Sequence, residues 1–374
     1  MEGIVVRVRM VAALMIASIA LLTLTPLGAA QARPSVTDLV SFLDSTFSAR
    51  EAAVLSGNSD YLGAYMAGSV AQGVEQERLS AWRDYQSKTN TRIISMDATC
   101  YFQANEVEGG TAHLTVYVWT SFYWTDSSGI VIRSGMGVPH DMTLRLIDGS
   151  WSIVSDVFDE GPLTGVKSPQ LVTTNDGREP LIADAGIVPT GDPGSTYYNR
   201  NAAANYSDQY VDHRAYGTNY PSAYNNAVYK DYTSGGGDCT NFVSQCLRAG
   251  GAYFVGQYSN PSSTSVWWYN DNGTTPNHTS DDSASYSWFN CVYQRPFVLA
   301  GWGTQVSSSQ LQRGDIVYYD WTGNGTWDHA AIVAAFDGSG KPLVNCHTND
   351  YYHVRWNFGD TSCKYDCVHI KNYI

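Results

Sequence analysis

Residues 160–195 divide this chain. They hold Pro162, Pro169, Pro180, Pro189 and Pro193 among Gly, Thr and Asp, with no sustained apolar periodicity. Proline has no amide donor and a fixed φ, so neither a helix interior nor a central strand runs through such a stretch. A linker is therefore expected over 161–196, separating an N-terminal unit at 33–160 from a C-terminal unit at 197–374.

Residues 1–32 place Arg7 and Arg9 ahead of an apolar run from Met10 to Leu24, followed by Pro26 and the small-residue end Ala30-Gln31-Ala32. Basic, apolar and A-x-A elements in that order predict a secretory signal peptide cleaved after about Ala32, and hence a secreted, extracellular product. The apolar run is short against the roughly 20 residues of a spanning helix, and no second run follows. No stable membrane association is expected once the leader is gone. The net charge of −13, or −14 without the leader, offers no footprint for nucleic acid or anionic lipid. An anionic cell wall would repel such a chain, so free secretion or transient wall contact is expected. Charged residues make up only 15% and aromatics 13%, which excludes disorder over most of the length.

In the N-terminal unit, apolar residues recur at helical spacing from Val36 to about Lys88, with a second helical stretch over Val70–Tyr85. The period then changes to two. Segments near Arg92–Phe102, Ala112–Trp124, Met136–Ile147 and Trp151–Phe158 are rich in β-branched and aromatic residues and are separated by Gly-Gly, Asp-Ser-Ser-Gly and Asp-Gly turn signals. Two helices followed by four antiparallel strands make an α+β unit. That element order resembles the cone-shaped fold of the nuclear-transport-factor-2-like superfamily, in which a curved sheet wraps a long helix. The fold hosts enzymes and inert modules alike, so no function follows from it. His113 and His140 are read as structural or surface histidines.

The chemistry-bearing segment is Gly235-Gly236-Gly237-Asp238-Cys239-Thr240-Asn241-Phe242-Val243-Ser244-Gln245-Cys246-Leu247. The glycines allow a sharp turn and close substrate approach, Asp238 or Thr240 can cap, and Phe242, Val243, Cys246 and Leu247 form an apolar helix face. Cys239 thus sits at a helix mouth. There the unpaired N–H groups favour thiolate and can bind an oxyanion, with Asp238 and Thr240 marking the helix start. A base is offered by Asp328-His329-Ala330-Ala331-Ile332-Val333, in which His329 opens a strand. The next strand, Pro342–Thr348, puts Asn345 and His347 on one face and Cys346 on the other. Either polar residue is placed to orient the His329 ring, the third role in a nucleophile, base and orienter set, and Asn349 is a further candidate.

Seven cysteines is an odd number for an exported chain. Cys239 is expected to be the one left free, titrating well below 8.5. Cys100, Cys246, Cys291, Cys346, Cys363 and Cys367 remain available for pairing. A zinc site is not expected: Cys363-x₃-Cys367 lacks a matched second pair, although His369, His347, Asp350 and His353 lie near it in sequence. Trp267, Trp268, Tyr269 and Trp327 either line a substrate groove or fill the core.

The stretch D-C-T-N-F-V-S-Q-C-L, with W-W-Y at 267–269, G-D-I-V-Y-Y at 314–319, D-H-A-A-I-V at 328–333 and H-T-N-D at 347–350, resembles an amidase domain found in secreted bacterial proteins. That family is similar to the NlpC/P60 peptidases, a circularly permuted papain-like group that cleaves peptide bonds in peptidoglycan stems. The likeness covers roughly residues 197–355. It implies a nucleophile helix packed on a small antiparallel sheet, with Cys239 as nucleophile, His329 as general base and acid, and His347 as the orienting residue. It also implies a peptide or peptidoglycan-derived amide as substrate and no cofactor or metal. Thr240 and Asn241 depart from the Ser-Gly that usually follows the NlpC/P60 cysteine, and residues 356–374 lie outside the pattern. The expected function is a secreted cysteine-dependent amidase or peptidase working through a thioester. The alternative is a catalytically inactive papain-like module that binds cell wall or another ligand.

Overall fold

The computed structural model describes residues 36–166, 168, 196–211, 228–233, 237–271, 281–359 and 361–374. The expected signal peptide and most of the expected linker lie outside the described residues, as do Gly235 and Gly236.

Helix α1 (Val36–Ser56) buries Leu39, Leu43 and Phe47, residues three or four apart and so on one face. Helix α2 (Val70–Thr89) begins where the Ser69 hydroxyl accepts from the Gln72 amide and stops where Asn90 turns left-handed at φ 51°. Strands β1 (Arg92–Glu108), β2 (Thr111–Thr125), β3 (Val131–Ile147) and β4 (Ser150–Val157) follow as an antiparallel meander. Asp148 and Gly149 both take positive φ, 51° and 83°, in the two-residue loop between β3 and β4, the conformation that matches hairpin twist. The compact unit continues past residue 160: Leu163 and Val166 are buried in the same core.

The C-terminal half contains α3 (Arg200–Val211), α4 (Cys239–Ala249), the short pair β5 (Tyr269–Asn270) and β6 (Ser283–Ala284), then α5 (Tyr286–Phe289) and α6 (Cys291–Gly301). Strands β7 (Gly303–Val306), β8 (Ile316–Asp320), β9 (His329–Phe336), β10 (Pro342–Cys346), β11 (Asp350–Arg355) and β12 (Lys364–Ile370) complete it.

The protein is mixed α and β around one large antiparallel sheet that crosses between the halves. The ten strands run β1-β2-β3-β11-β10-β9-β8-β12-β7, with β4 also on β3. The joint is β3 against β11, in which Asp350, Tyr351 and Tyr352 face Gly137, Met136 and Gly135. Strand β3 is long enough to pair β11 with its first half and β4 with its second.

Alternation sorts the side chains into two cores. Leu43, Phe47, Trp82 and Ile153 of the N-terminal half share one core with Val317, Tyr319, Ala331, Val333 and Cys346. The other lies between α3, α4, α6 and the opposite face of the C-terminal strands, and holds Phe242, Val243, Cys246, Leu247, Tyr318, Ala330 and Ile332.

Inside the N-terminal half, Arg50, Arg78, Glu51, Glu75 and Glu160 are each no more than 1% exposed. Arg78 Nη2 donates to both carboxylate oxygens of Glu51 at 3.0 Å, and Arg50 Nε to Glu75 at 3.0 Å. Both guanidinium groups also reach Glu160. Burial opposes charge on these arginines, but the three carboxylates outweigh it and hold both above the ordinary arginine value. His140 is buried too, its Nδ1 2.8 Å from Asp156 and its ring stacked on Phe158, while His113 meets the Thr143 hydroxyl.

Candidate active site

Helix α4 starts at Cys239, with Asp238 in the capping position and the first helical bond running from the Phe242 amide to the Asp238 carbonyl at 2.9 Å. The Asp238 carboxylate does not cap the helix, contrary to its sequence reading. It turns away instead: Oδ1 accepts from the Tyr232 amide at 2.9 Å and from Asn241 Nδ2 at 2.8 Å, and Oδ2 faces His347 Nδ1 at 2.8 Å. Asn241 is fully buried, donates also to the Lys230 carbonyl, and accepts from Trp288 Nε1 at 2.6 Å. Asn241 thus pins the helix mouth.

The Cys239 thiol is 7% exposed. Burial pushes its pKa up, while hydrogen bonds from the Ala330 amide and from the Thr240 hydroxyl (3.7 Å) and amide pull the other way without prevailing. This corrects the expectation of a thiol titrating well below its ordinary value: the desolvation of a closed site outweighs the helix mouth. No disulfide joins the seven cysteines among the described residues, so the odd count does not single out Cys239.

His329 opens β9, as its position before a run of small and β-branched residues predicts. The ring lies beside Tyr319 and Trp321, with centroids 5.5 Å and 5.3 Å away. Its Nε2 is buried and has no hydrogen-bond partner among the described residues. Burial lowers its pKa to about 3, so the imidazole is neutral at ordinary pH. The next residue, Ala330, points into the core beneath α4, and its amide reaches the thiol. Helix α4 and strand β9 therefore meet at the Cys239–Ala330 contact.

The orienting residues are placed elsewhere. His347 stacks on Phe242 at 3.7 Å and engages Asp238 through Nδ1 and the Tyr210 carbonyl through Nε2, each at 2.8 Å. Two acceptors on two ring nitrogens require both to carry protons. Burial by itself would lower the His347 pKa, but Asp238, Asp350 and the Tyr210 carbonyl hold it above the ordinary histidine value. His347 thus braces the helix mouth, its protonated form favoured by these acceptors and both ring nitrogens engaged by Asp238 and Tyr210. Asn345 shares its face, as alternation predicts, but donates to Ser207 and Asp208 of α3 at 2.9 Å and 2.8 Å. Asn349 Nδ2 donates across the sheet joint to the Asp159 carbonyl at 3.0 Å.

Of the aromatic candidates, Trp267 is fully buried against Trp288 and Trp302 and donates to the Ser244 hydroxyl, which makes it core. Trp268 and Tyr269 are buried as well. Trp327 is partly buried, with Arg295 over its ring at 4.6 Å. The residues weighed for zinc disperse: His369 joins Asp315, His353 joins Asp208 and His347 joins Asp238.

Gln294 escaped the sequence reading. Fully buried in α6, it donates to the Ser244 hydroxyl at 2.7 Å and the Thr240 carbonyl at 3.4 Å, and accepts from the Tyr318 hydroxyl at 3.0 Å. A polar residue three positions after Cys291 and three before Phe297, on the buried stripe of its helix, is the signal that pointed to it.

Residues 197–370 match the family described as "Putative amidase domain". Uncharacterized protein YhbB of Bacillus subtilis (strain 168) is 30% identical over 184 residues, which is 46% of this chain and 50% of that protein. The chain thus spans about half the length of the curated relative it matches. The solved structure of Aln2 from a Streptomyces species aligns over 34% of this chain and 92% of its own, at 14% identity and a TM-score of 0.23, a superposition too loose to define a shared fold.

Proposed function

We propose that the C-terminal half is a cysteine-dependent amidase or peptidase of papain-like arrangement, with Cys239 as nucleophile and His329 as base. The family match supports hydrolysis of a C–N bond. The observation that carries the residue assignment is the contact of the buried Cys239 thiol with the Ala330 amide, one residue from a neutral imidazole whose Nε2 lacks a partner among the described residues. A buried nitrogen left unpaired costs about 1–3 kcal/mol, a cost that a bound reactant supplying a proton removes.

In this reading the thiol proton passes to His329 as sulfur bonds to the carboxamide carbon. The carbonyl electron pair moves onto oxygen, stabilised by amides of the first turn of α4. Collapse breaks the C–N bond, and the imidazolium returns its proton to the leaving amine. Water, deprotonated by His329, then attacks the thioester, releasing the acid and restoring the thiol. The substrate class is a peptide or peptidoglycan-derived amide, met outside the cell after removal of residues 1–32.

One observation favours the alternative of a papain-like module that binds without turnover: the upward push on the Cys239 pKa. Amine release from peptidoglycan peptides and γ-glutamyl amides separates the two. The proposal expects release by wild type and a loss of about a thousand-fold or more in Cys239→Ala with binding retained. Equal release by the alanine variant overturns the Cys239 assignment, and binding by both proteins with release by neither selects the binding module.

A further inference from the structure

The connection 347–349 between β10 and β11, with Asp350 at the start of β11, touches both the helix mouth and the N-terminal half. On one side Thr348, held at φ 90°, accepts from the Asp238 amide at 2.9 Å through its hydroxyl, and His347 faces the Asp238 carboxylate. On the other side Asp350 Oδ2 accepts from the Tyr117 hydroxyl at 2.5 Å, Asn349 donates to the Asp159 carbonyl, and the hydroxyl of neighbouring Tyr351 donates to the Glu160 carbonyl. The N-terminal partners come from β2 and from the end of the four-stranded meander.

The N-terminal half is shaped for this grip. Tyr117 lies across β3 to reach Asp350, and a Cβ at Gly137 would collide with its hydroxyl. Gly161, at φ 61°, leaves room for Asn349 and Tyr351, whose polar atoms would lie 2.5 Å and 2.7 Å from a Cβ there. Glu160 is fixed through its side chain by Arg50 and Arg78, so the carbonyl that receives Tyr351 belongs to the most constrained part of the N-terminal interior.

We infer that the N-terminal half is a built-in brace for the nucleophile helix: by holding the 347–350 segment through Tyr117 and the 159–160 backbone, it fixes Thr348 and His347 on Asp238. Tyr117, Asp350 and Thr348 are positioning residues for Cys239. This rests on the Cys239 reading for its catalytic consequence, whereas its structural content stands apart from that reading.

The experiment compares full-length wild type, Tyr117→Phe, Thr348→Val and Thr348→Ser. Amide hydrogen exchange over residues 237–242, read by mass spectrometry, reports the brace whatever Cys239 does, and exchange in α2 reports whether the N-terminal half is folded. Loss of one hydrogen bond is expected to speed exchange at the helix mouth about five-fold in Tyr117→Phe and Thr348→Val, with α2 unchanged and Thr348→Ser restoring wild-type protection. In parallel, kcat for amide release falls in the same two variants while KM holds. Unchanged exchange at 237–242 in Tyr117→Phe, or failure of serine to rescue, overturns the brace. Changed exchange with unchanged kcat keeps the brace and overturns its catalytic consequence, whereas loss of the nucleophile assignment would show only in Cys239→Ala.

Discussion

Both halves of this protein bury ionisable side chains, and they do so differently. In the N-terminal half two arginines and three glutamates form a closed set of ion pairs, each residue no more than 1% exposed. In the C-terminal half His329 is buried with a nitrogen unpaired among the described residues, and Cys239 is buried against backbone amides. Among the described residues the N-terminal half also leaves single buried atoms unpaired, Tyr65 Oη and Asp156 Oδ2 among them, so a missing partner marks a candidate site only beside a second observation such as the Cys239–Ala330 contact. The same degree of burial thus accompanies a paired ion cluster in one half and the proposed reactive pair in the other.

Four measurements break or sharpen that contrast. His329→Phe removes the unpaired nitrogen and keeps a ring beside Tyr319 and Trp321. Amide release should fall about 10²- to 10⁴-fold while the urea midpoint stays level or rises. A clear drop in stability would mean the imidazole is a structural member after all. Arg78→Met does the reverse. It leaves three buried carboxylates to the single guanidinium of Arg50 and should cost about 3–5 kcal/mol of unfolding free energy, with a smaller effect on the rate per folded molecule. A loss under about 1 kcal/mol would show that the cluster is not a paired unit.

His347→Gln removes a buried cation from Asp238 and the Tyr210 carbonyl, and should lower stability by about 1–3 kcal/mol at pH 6. Because the folded pKa of His347 lies above the unfolded value near 6.5, its contribution is complete below that pH and is lost as pH rises through the folded pKa. The gap between wild type and variant in urea unfolding should therefore narrow from pH 6 to pH 9, and a widening gap would refute the imidazolium. The smallest effect is on the thiol. With its pKa held above the ordinary value, alkylation of Cys239 by iodoacetamide should climb about ten-fold per pH unit from 7 to 9. A plateau below pH 8 would mean a stabilised thiolate.

Local pattern made much of this legible. Periodicity and turn chemistry located α1, α2, the four-strand meander, the start of α4 at Cys239 and the start of β9 at His329, because each is decided by residues a few positions apart. Alternation also put Asn345 and His347 on a common face. It carries no information about what covers that face, where His347 is engaged by Asp238 and Tyr210 and Asn345 by α3. The joint of β3 with β11 pairs residues more than two hundred positions apart, and no local period encodes such a register. Its trace in the sequence is Gly135 and Gly137, two glycines inside a strand, which mark where Trp119 and Tyr117 pass close over the backbone. The thiol pKa went the other way from expectation because a helix mouth is visible in sequence and its desolvation is not.

The shared sheet has a consequence for any attempt to divide the protein. Expressed alone, the C-terminal half would offer the backbone of Asp350–Tyr352 as an open strand edge, and the N-terminal half would offer Gly135–Gly137. Bare edges recruit further strands, so the separated halves should self-associate or precipitate more readily than the whole chain.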